Sequence, residues 1–490
     1  LEKKMKRINL KEELINLYPD NKIKAKFHFI NHHLAHLASA FYGSPFDSSS
    51  IVSIDGFGDF ASTAFGFGNS NKIRIKKQIY FPHSLGIFYT AMTQYLGFPK
   101  YGDEYKVMGL APYGKPKYKK EMKEIINTFK DGTFKLNLKY FTHTSSGLPH
   151  QWEGGEPLIN NIFSKELINL LGPQRSFNST LSDHHKDIAN SAQAIYEEVF
   201  FNFINNIEPY DSSENLCIAG GCGANSVANG KITSKTKYKR VYIHPAPGDA
   251  GGALGAAMEL WHRIQKNRCP QMRSAYLGPK IKIENINNFF QKEINIKLLS
   301  ESNSKVIKIG QAELPNEESL LELISNAICE SKVIGWFEGQ MEWGPRALGH
   351  RSILCDPRNS KIKDILNLKI KRRESFRPFA PAILKEEVSD WFEINTIGDL
   401  DVPFMMKVYP IKPSKRSIIP AVCHVDGSGR LQTVSEHDNG RYYRLIKKFF
   451  NKTGVPILLN TSFNENEPIV SNIEEALNCY LRTKMDYLVI

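Results

Sequence analysis

No apolar run in the sequence reaches the roughly 18–20 residues that a membrane-spanning helix needs. The opening stretch, LEKKMKRINLKEELINLYPD, has no apolar signal core and reads as a charged helix. Leu1 is not an initiator Met, so the start reads as a processed or missing end. Cysteines are sparse and none forms a CxxC pair. Cys217, Cys222, Cys269, Cys329, Cys355, Cys423 and Cys479 make an odd, dispersed set, which argues for reduced structural thiols and a cytoplasmic protein. No internal repeat of roughly 20–50 residues and no low-complexity tract is present, which excludes a repeat array.

What is there is a chain of 490 residues, too long for one ordinary core, so two or three domains are expected. Hydrophobic residues make up 41% and charged residues 23%, as in a globular protein. The net charge of +13 admits two kinds of partner, nucleic acid or a phosphorylated small molecule. Part of the excess lies in lysine-rich stretches such as YGKPKYKKEMKE (113–124), which read as solvated helix faces.

Three segments share one grammar, a short apolar strand that runs into a glycine turn. They are IVSIDGFGDFAST from residue 51, NLCIAGGCGANSVANG (215–230) and VYIHPAPGDAGGALGAAMEL (241–260), the last two leading into helices. Between the first two, DIANSAQAIYEEVFFNFINNI (187–207) has a 3.6-residue apolar period. The pattern loosens over 266–305, where a domain boundary is expected. A second α/β unit follows: SKVIGWFEGQ (331–340) as a strand, a helix over 360–371, DVPFMMKVYP as a strand and VPILLNTSFN (455–464) as a strand.

NHHLAHLASAFY (31–42) carries three histidines. On a helix turning about 100° per residue, Leu34, Leu37, Ala38 and Phe41 share one face, and His32, His36 and Ser39 fall opposite. His32 and His36 stand one turn apart and can bind one cation through two imidazoles, or they can simply be solvated. The usual set of two His and a carboxylate needs an acid. Asp55 and Asp249, each beside glycines at a strand exit, are the candidates. Glycine turns also present backbone N–H groups to phosphates. Three of them in one domain, two with an acid, favour a nucleotide–metal cleft.

Further along, WGPRALGHRSIL (343–354) and KIKRRESFRPFAP (369–381) gather Arg346, Arg351, Lys371, Arg372, Arg373 and Arg377. They are interleaved with Gly, Pro and Phe rather than alternating with Glu, which favours an anion pocket over a solvated face. HVDGSGRLQTV (424–434) places His424, Asp426 and Arg430 in a turn between two short strands.

These stretches, with FPHSLGIFYTAMTQYLGF, EYKVMGLAPYG and GVPILLNTSFN, run in order from residue 28 to 490 and resemble the NodU/CmcH-type O-carbamoyltransferase family. The resemblance implies an α/β chain with an actin-like (ASKHA) nucleotide-binding domain, residues 1–275, followed by a YrdC-like α/β domain with a mixed twisted sheet, residues 276–490. It further implies that the second domain makes carbamoyl-adenylate from carbamoyl phosphate and ATP, releasing pyrophosphate, and that the first passes the carbamoyl group to an acceptor hydroxyl beside a metal. Carried over, the metal set is His32, His36, Asp55 and Asp249, and Gly220, Gly221, Asn225 and Asn229 lie by the nucleotide. Arg346, Lys371, Arg377 and Arg430 form the phosphate clamp with Arg351 and Arg373 in support. His32, His36, Asp55, Lys371 and Arg346 are the catalytic candidates, and His33 is structural.

The expected cofactors are ATP and a divalent metal, Fe, Mn or Mg foremost, since two His with carboxylates suit Fe, Mn or Zn and Mg can enter through phosphate. The expected partners are carbamoyl phosphate, ATP, a hydroxylated small-molecule acceptor (a secondary metabolite or saccharide) and a second copy in a homodimer. Neither a membrane nor nucleic acid is expected. Relatives begin with a strand and a His-Asp phosphate motif that has no counterpart before His28, so the first lobe's start reads as absent and the transfer site as incomplete. The chain also stops in MDYLVI, where the family continues briefly. GGCGAN has Gly223 and Ala224 where relatives carry Ala and a larger apolar residue, which loosens the turn. TFKLNLKYFTHTSSGLPHQWEGGEP (133–157) is a candidate acceptor loop. Two other readings compete: a tRNA threonylcarbamoyl-type modification enzyme, and a non-catalytic nucleotide-binding regulator.

Overall fold

The computed structural model of the chain describes residues 10–19, 24–145, 151–153, 156–158, 160–206, 213–292, 302, 306–307, 311–312, 314–394 and 400–490. Within the charged opening it places a helix, α1 (Leu10–Leu17), and residues 1–9 lie outside the described residues. No helix among the described residues is long and apolar enough to cross a membrane.

The β-branched run at IVSI extends into β1 (Ser48–Gly58), which pairs antiparallel with β2 (Ala61–Asn69), itself antiparallel to β3 (Lys72–Tyr80). β4 (Asn215–Ala219) and β5 (Arg240–Ile243) add on the other side of β1 in parallel, for the order β3-β2-β1-β4-β5. Alternation along β1 serves two cores. Ile51 packs with Leu37 and Phe41 of α2 (His32–Gly43). Val52 and Ile54 belong to the cluster that holds Phe88 and Met92 of α3 (Leu85–Tyr95). Burying side chains as completely as Leu37 and Phe41 contributes ~1.5–3 kcal/mol each. After α4 (Glu104–Leu110), the predicted amphipathic helix forms as α5 (Asp183–Asn205), started by reciprocal Ser182–His185 capping. The glycine turn after β5 opens α6 (Asp249–Gln265).

The second sheet is larger. Its strands are β6 (Ile334–Phe337), β7 (Arg351–Cys355), β8 (Ala380–Leu384), β9 (Lys407–Pro410), β10 (Ser428–Val434), β11 (Ile457–Ser462) and β12 (Tyr487–Val489), in the order β9-β10-β8-β11-β7-β6-β12. β8/β10 and β6/β12 pair in parallel and the rest antiparallel, so the sheet is mixed, as expected. The helices α7 (Glu317–Cys329), capped by Asn316, α8 (Gly440–Thr453) and α9 (Ile473–Thr483) contribute apolar faces to its core. Both halves are α/β.

Four local expectations are corrected. Helix α2 is not divided into an apolar and a solvated face: His33, His36 and Ser39 are 0% exposed, because sheet and α6 enclose it, while Leu34 is only half-buried. The helix over 360–371 is a short α-helical turn, Ile362–Asp364, that widens into a π-helical turn, Ile365–Ile370. Of DVPFMMKVYP only Lys407–Pro410 is strand, since residues 403–405 turn and Met405 takes a left-handed φ of 56°. Arg430 lies on β10 itself rather than in the turn with His424 and Asp426. The 133–157 segment forms a short strand, Phe134–Leu136, and a 3-10 turn, Leu138–Tyr140, and residues 146–150 and 154–155 lie outside the described residues.

The halves meet through specific contacts. Asn229 Nδ2 donates to Met406 O at 3.0 Å, and Tyr113 Oη to Phe376 O at 3.4 Å. Phe376, Phe404, Met405 and Met406 of the second half are buried within the first half's core cluster.

Candidate active site

The start of α2 is fixed by two side chains. Asn31 accepts the Leu34 N–H at 3.2 Å, and Asp59 Oδ2 accepts the His32 N–H at 2.9 Å. Asp59 itself sits in the β1–β2 turn at a φ of 49°, a left-handed position that Asp tolerates better than most residues. The β1–β2 register shifts between Ile54 and Gly58, and this irregularity falls at Asp55. Asp55 Oδ2 thereby lies 2.9 Å from His32 Nε2 and 3.3 Å from His36 Nε2.

Asp249, the first residue of α6, puts Oδ1 at 3.8 Å from His32 Nε2 and 3.5 Å from His36 Nε2. That approach depends on how closely α6 crosses α2. A Cβ on Gly255 would stand 1.9 Å from Ala35 O, so no larger residue fits the crossing as it stands. One turn further on, Tyr42 Oη donates to Glu259 Oε2 at 3.2 Å and the Tyr42 ring stacks on His262 at 3.6 Å.

His32, His36, Asp55 and Asp249 thus offer four ligand atoms within 4.8 Å of one another. The two Nε2 atoms are 3.0 Å apart and face two carboxylate oxygens, an arrangement that needs positive charge at its centre. A proton supplies it in part. Burial alone would lower His36, but hydrogen bonds that the imidazole donates to Asp249 and Asp55 outweigh it and lift it to about 9. Burial pushes Asp55 up, yet His32 and His36 hold its carboxyl well below the usual range. A divalent cation suits the same two imidazoles and two carboxylates. His33 stays outside this set: it is buried, pairs with Ser53 Oγ at 3.0 Å, and burial lowers it to about 4.

The Gly220–Gly221 turn adjoins the cluster, with the Gly221 N–H donating to Asp55 Oδ1 at 2.8 Å. Gly220 has a φ of 84°, and a Cβ there would lie 2.2 Å from Ile54 O, so the turn requires glycine. The two asparagines expected by a nucleotide also make hydrogen bonds inside the protein. Asn225 caps the following turn by accepting from Ala228 N, and it exchanges hydrogen bonds with Gln193 at 3.0 and 3.2 Å. Asn229 ties Gly223 O to Met406 O. Both are buried and brace the turn from behind.

In the second half Arg346, Arg373, Arg377 and Arg430 come together. Burial lowers Arg430 well below the ordinary guanidinium range, and the charges of Arg346, Arg373 and Arg377 lower it further. Burial likewise takes Arg346 to about 10 and Arg373 to about 9, each also opposed by Arg377. The Nε atoms of Arg346 and Arg430 are buried without a partner. Four guanidinium groups are thus gathered with one acid, Glu374, in contact with Arg377 at 3.4 Å. Cations held this way in low dielectric are stabilised by a bound anion.

Two clamp candidates are placed differently. Arg351 is 0% exposed, stacks 3.8 Å over Phe337 and hydrogen bonds through both terminal nitrogens to the carbonyls of Glu338, His350, Gly339 and Pro279. Both terminal nitrogens are thus held by carbonyls, while Nε is buried without a partner, as in Arg346 and Arg430. Lys371 is buried at the end of the π-helical turn, where Nζ donates to Ser462 and Asn464, and burial depresses it well below the usual lysine range. It joins that turn to β11 and lies within electrostatic reach of Arg373 and Arg377.

Sequence reasoning missed Asp59, Gln193 and Tyr105. Asp59 was visible as the second acid of DGFGD, but its role at the α2 start requires the hairpin. Gln193 lies on the α5 helix, where nothing marks it as the partner of Asn225. Tyr105 stands in EYKVMG of the first half, yet its ring faces Arg377 of the second.

Comparison with known proteins bears on both halves. The family model described as the carbamoyltransferase N-terminus matches residues 2–258, and that for the carbamoyltransferase C-terminus matches residues 325–490. A Synechocystis sp. protein described as uncharacterized is 41% identical over 490 aligned residues, covering 94% of this chain and 75% of its own length. Nodulation protein NolNO of Sinorhizobium fredii is 34% identical over 95% of this chain and 63% of its own length. Nodulation protein NolO of Bradyrhizobium diazoefficiens is 35% identical over 94% and 78%. With family matches on both halves and relatives aligned over nearly its whole length, the chain belongs to the carbamoyltransferase family.

Proposed function

We propose that this carbamoyltransferase uses ATP and carbamoyl phosphate to form carbamoyl-adenylate in its second half, and transfers the carbamoyl group in its first half to a hydroxyl of a small molecule, a secondary metabolite or a saccharide. In this reading residues 1–275 form an actin-like (ASKHA) unit and residues 276–490 a YrdC-like unit. The observation that carries it is the group of Arg346, Arg373, Arg377 and Arg430, with two buried Nε atoms unpartnered and one acid in contact.

Carbamoyl phosphate and ATP concentrate negative charge, and preorganised guanidinium forks stabilise charge that develops on their leaving groups. Water cleaves carbamoyl phosphate to carbamate, with phosphate as the leaving group and a proton released. A carbamate oxygen then attacks the α-phosphorus of ATP, and pyrophosphate leaves. Lys371 holds the clamp's geometry through Ser462 and Asn464.

At the transfer site His32, His36, Asp55 and Asp249 would hold a divalent metal, which supplies Lewis acidity when bound. The Gly220–Gly221 turn lets a phosphate-bearing intermediate approach the backbone beside Asp55. The test is pyrophosphate release from ATP by the purified protein. Release that requires carbamoyl phosphate is expected, and equal release in its absence sinks the reading.

A further inference from the structure

We propose that Tyr105 of the first half is a positioning residue of the anion pocket in the second, where its ring holds the Arg377 guanidinium facing the bound phosphoryl group. The inference rests on the reading of the arginine group as the phosphate clamp.

Arg377 Cζ lies 4.7 Å from the Tyr105 ring centroid, within cation–π range. The contrast with Arg351 shows why this matters. A guanidinium anchored by carbonyls spends its terminal N–H donors on the anchor, as Arg351 does through both terminal nitrogens. One anchored on a ring face keeps its donors, because the attraction acts on the charge rather than through an N–H. Arg377 makes one acid contact, with Glu374 on one side, and it stands among like charges that repel it. Without the ring, that repulsion favours side-chain positions pointing out of the pocket.

The bed beneath is built for this meeting. Lys106 Nζ reaches Glu374 Oε1 at 3.6 Å, Tyr113 Oη donates to Phe376 O at 3.4 Å, and a Cβ on Gly109 would touch Pro378 Cδ at 3.5 Å. Helix α4 and the turn after it therefore seat residues 374–378 along their length. The phosphate pocket is composite, and the second half alone lacks one wall.

The experiment is carbamoyl-phosphate-dependent pyrophosphate release by the full chain carrying Tyr105→Phe, Tyr105→Leu, Arg377→Ala or the Leu/Ala pair. Tyr105→Phe keeps the ring and should leave KM for carbamoyl phosphate within about two-fold of wild type. Tyr105→Leu keeps apolar bulk without the π face and should raise that KM roughly 5- to 30-fold with kcat largely retained. The double variant should be no worse than Arg377→Ala, because the tyrosine acts through that arginine. If Arg377→Ala raises KM but Tyr105→Leu does not, or if the two effects multiply, the inference is overturned. If Arg377→Ala and Arg430→Ala both leave KM unchanged, it is the clamp reading that falls.

Discussion

Asp55 accepts the Gly221 N–H through Oδ1 at 2.8 Å, which leaves Oδ2 to face His32 at 2.9 Å. One carboxylate thereby locks the glycine turn to the histidine pair. Asp55→Asn keeps an oxygen for Gly221 but removes the charge. Metal affinity should fall by about 100-fold or more, since even outer partners of metal ligands cost 10–100-fold, with the unfolding transition little changed. Metal content after dialysis, read by atomic spectroscopy, checks this. Wild-type content would remove Asp55 from the site.

Gly255 sets the distance between α2 and α6, and with it the position of Asp249. Gly255→Ala forces the helices apart at a cost of about 1–3 kcal/mol. Metal affinity should fall while pyrophosphate release in the other half persists. A titration showing unaltered metal affinity would mean that the crossing does not control the site.

Asn229 donates to carbonyls of both halves. Asn229→Ala leaves Gly223 O and Met406 O without this donor, at a cost of roughly 2–4 kcal/mol. The urea midpoint should drop, and with it the coupling of the halves. A midpoint equal to wild type would contradict the bracing role of this residue.

His424 carries a pH dependence of stability. Burial lowers it to about 4, Arg430 and Lys363 add to the effect and Asp426 opposes it, and Nδ1 meets Ser428 Oγ at 3.2 Å. The folded value lies below the unfolded one of about 6.5, so between those values the unfolded chain binds the proton and the folded chain does not. Stability from this group is present above about pH 6.5 and is lost as pH falls toward 4. His424→Gln should flatten the stability profile across that window. Parallel profiles for wild type and variant would show that His424 does not carry the dependence.

The parts of the site that were legible in the sequence are those set by short-range rules. A strand that ends in Asp before glycines, histidines one helical turn apart, and arginines interleaved with Gly and Pro mark His32, His36, Asp55, Arg346 and Arg377 as chemistry. The remainder depends on partners far away in sequence. Asn229 reads like a phosphate-turn residue until Met406, 177 positions on, takes its amide. Arg351 sits among pocket arginines by number, and only the fold of residues 338–340 around it shows its terminal nitrogens held by carbonyls. Helix α2 reads as two-faced because periodicity cannot reveal that α6 covers its polar side. Tyr105 has no local signal, since its function depends on the docking of two units.

The central claim is that two separate sites serve two half-reactions. The most direct measurement is metal content together with carbamoyl-phosphate-dependent pyrophosphate release in His36→Ala. The account predicts that the variant loses its bound metal while releasing pyrophosphate at close to the wild-type rate. Loss of both together, in a variant that unfolds at the wild-type midpoint, would contradict it.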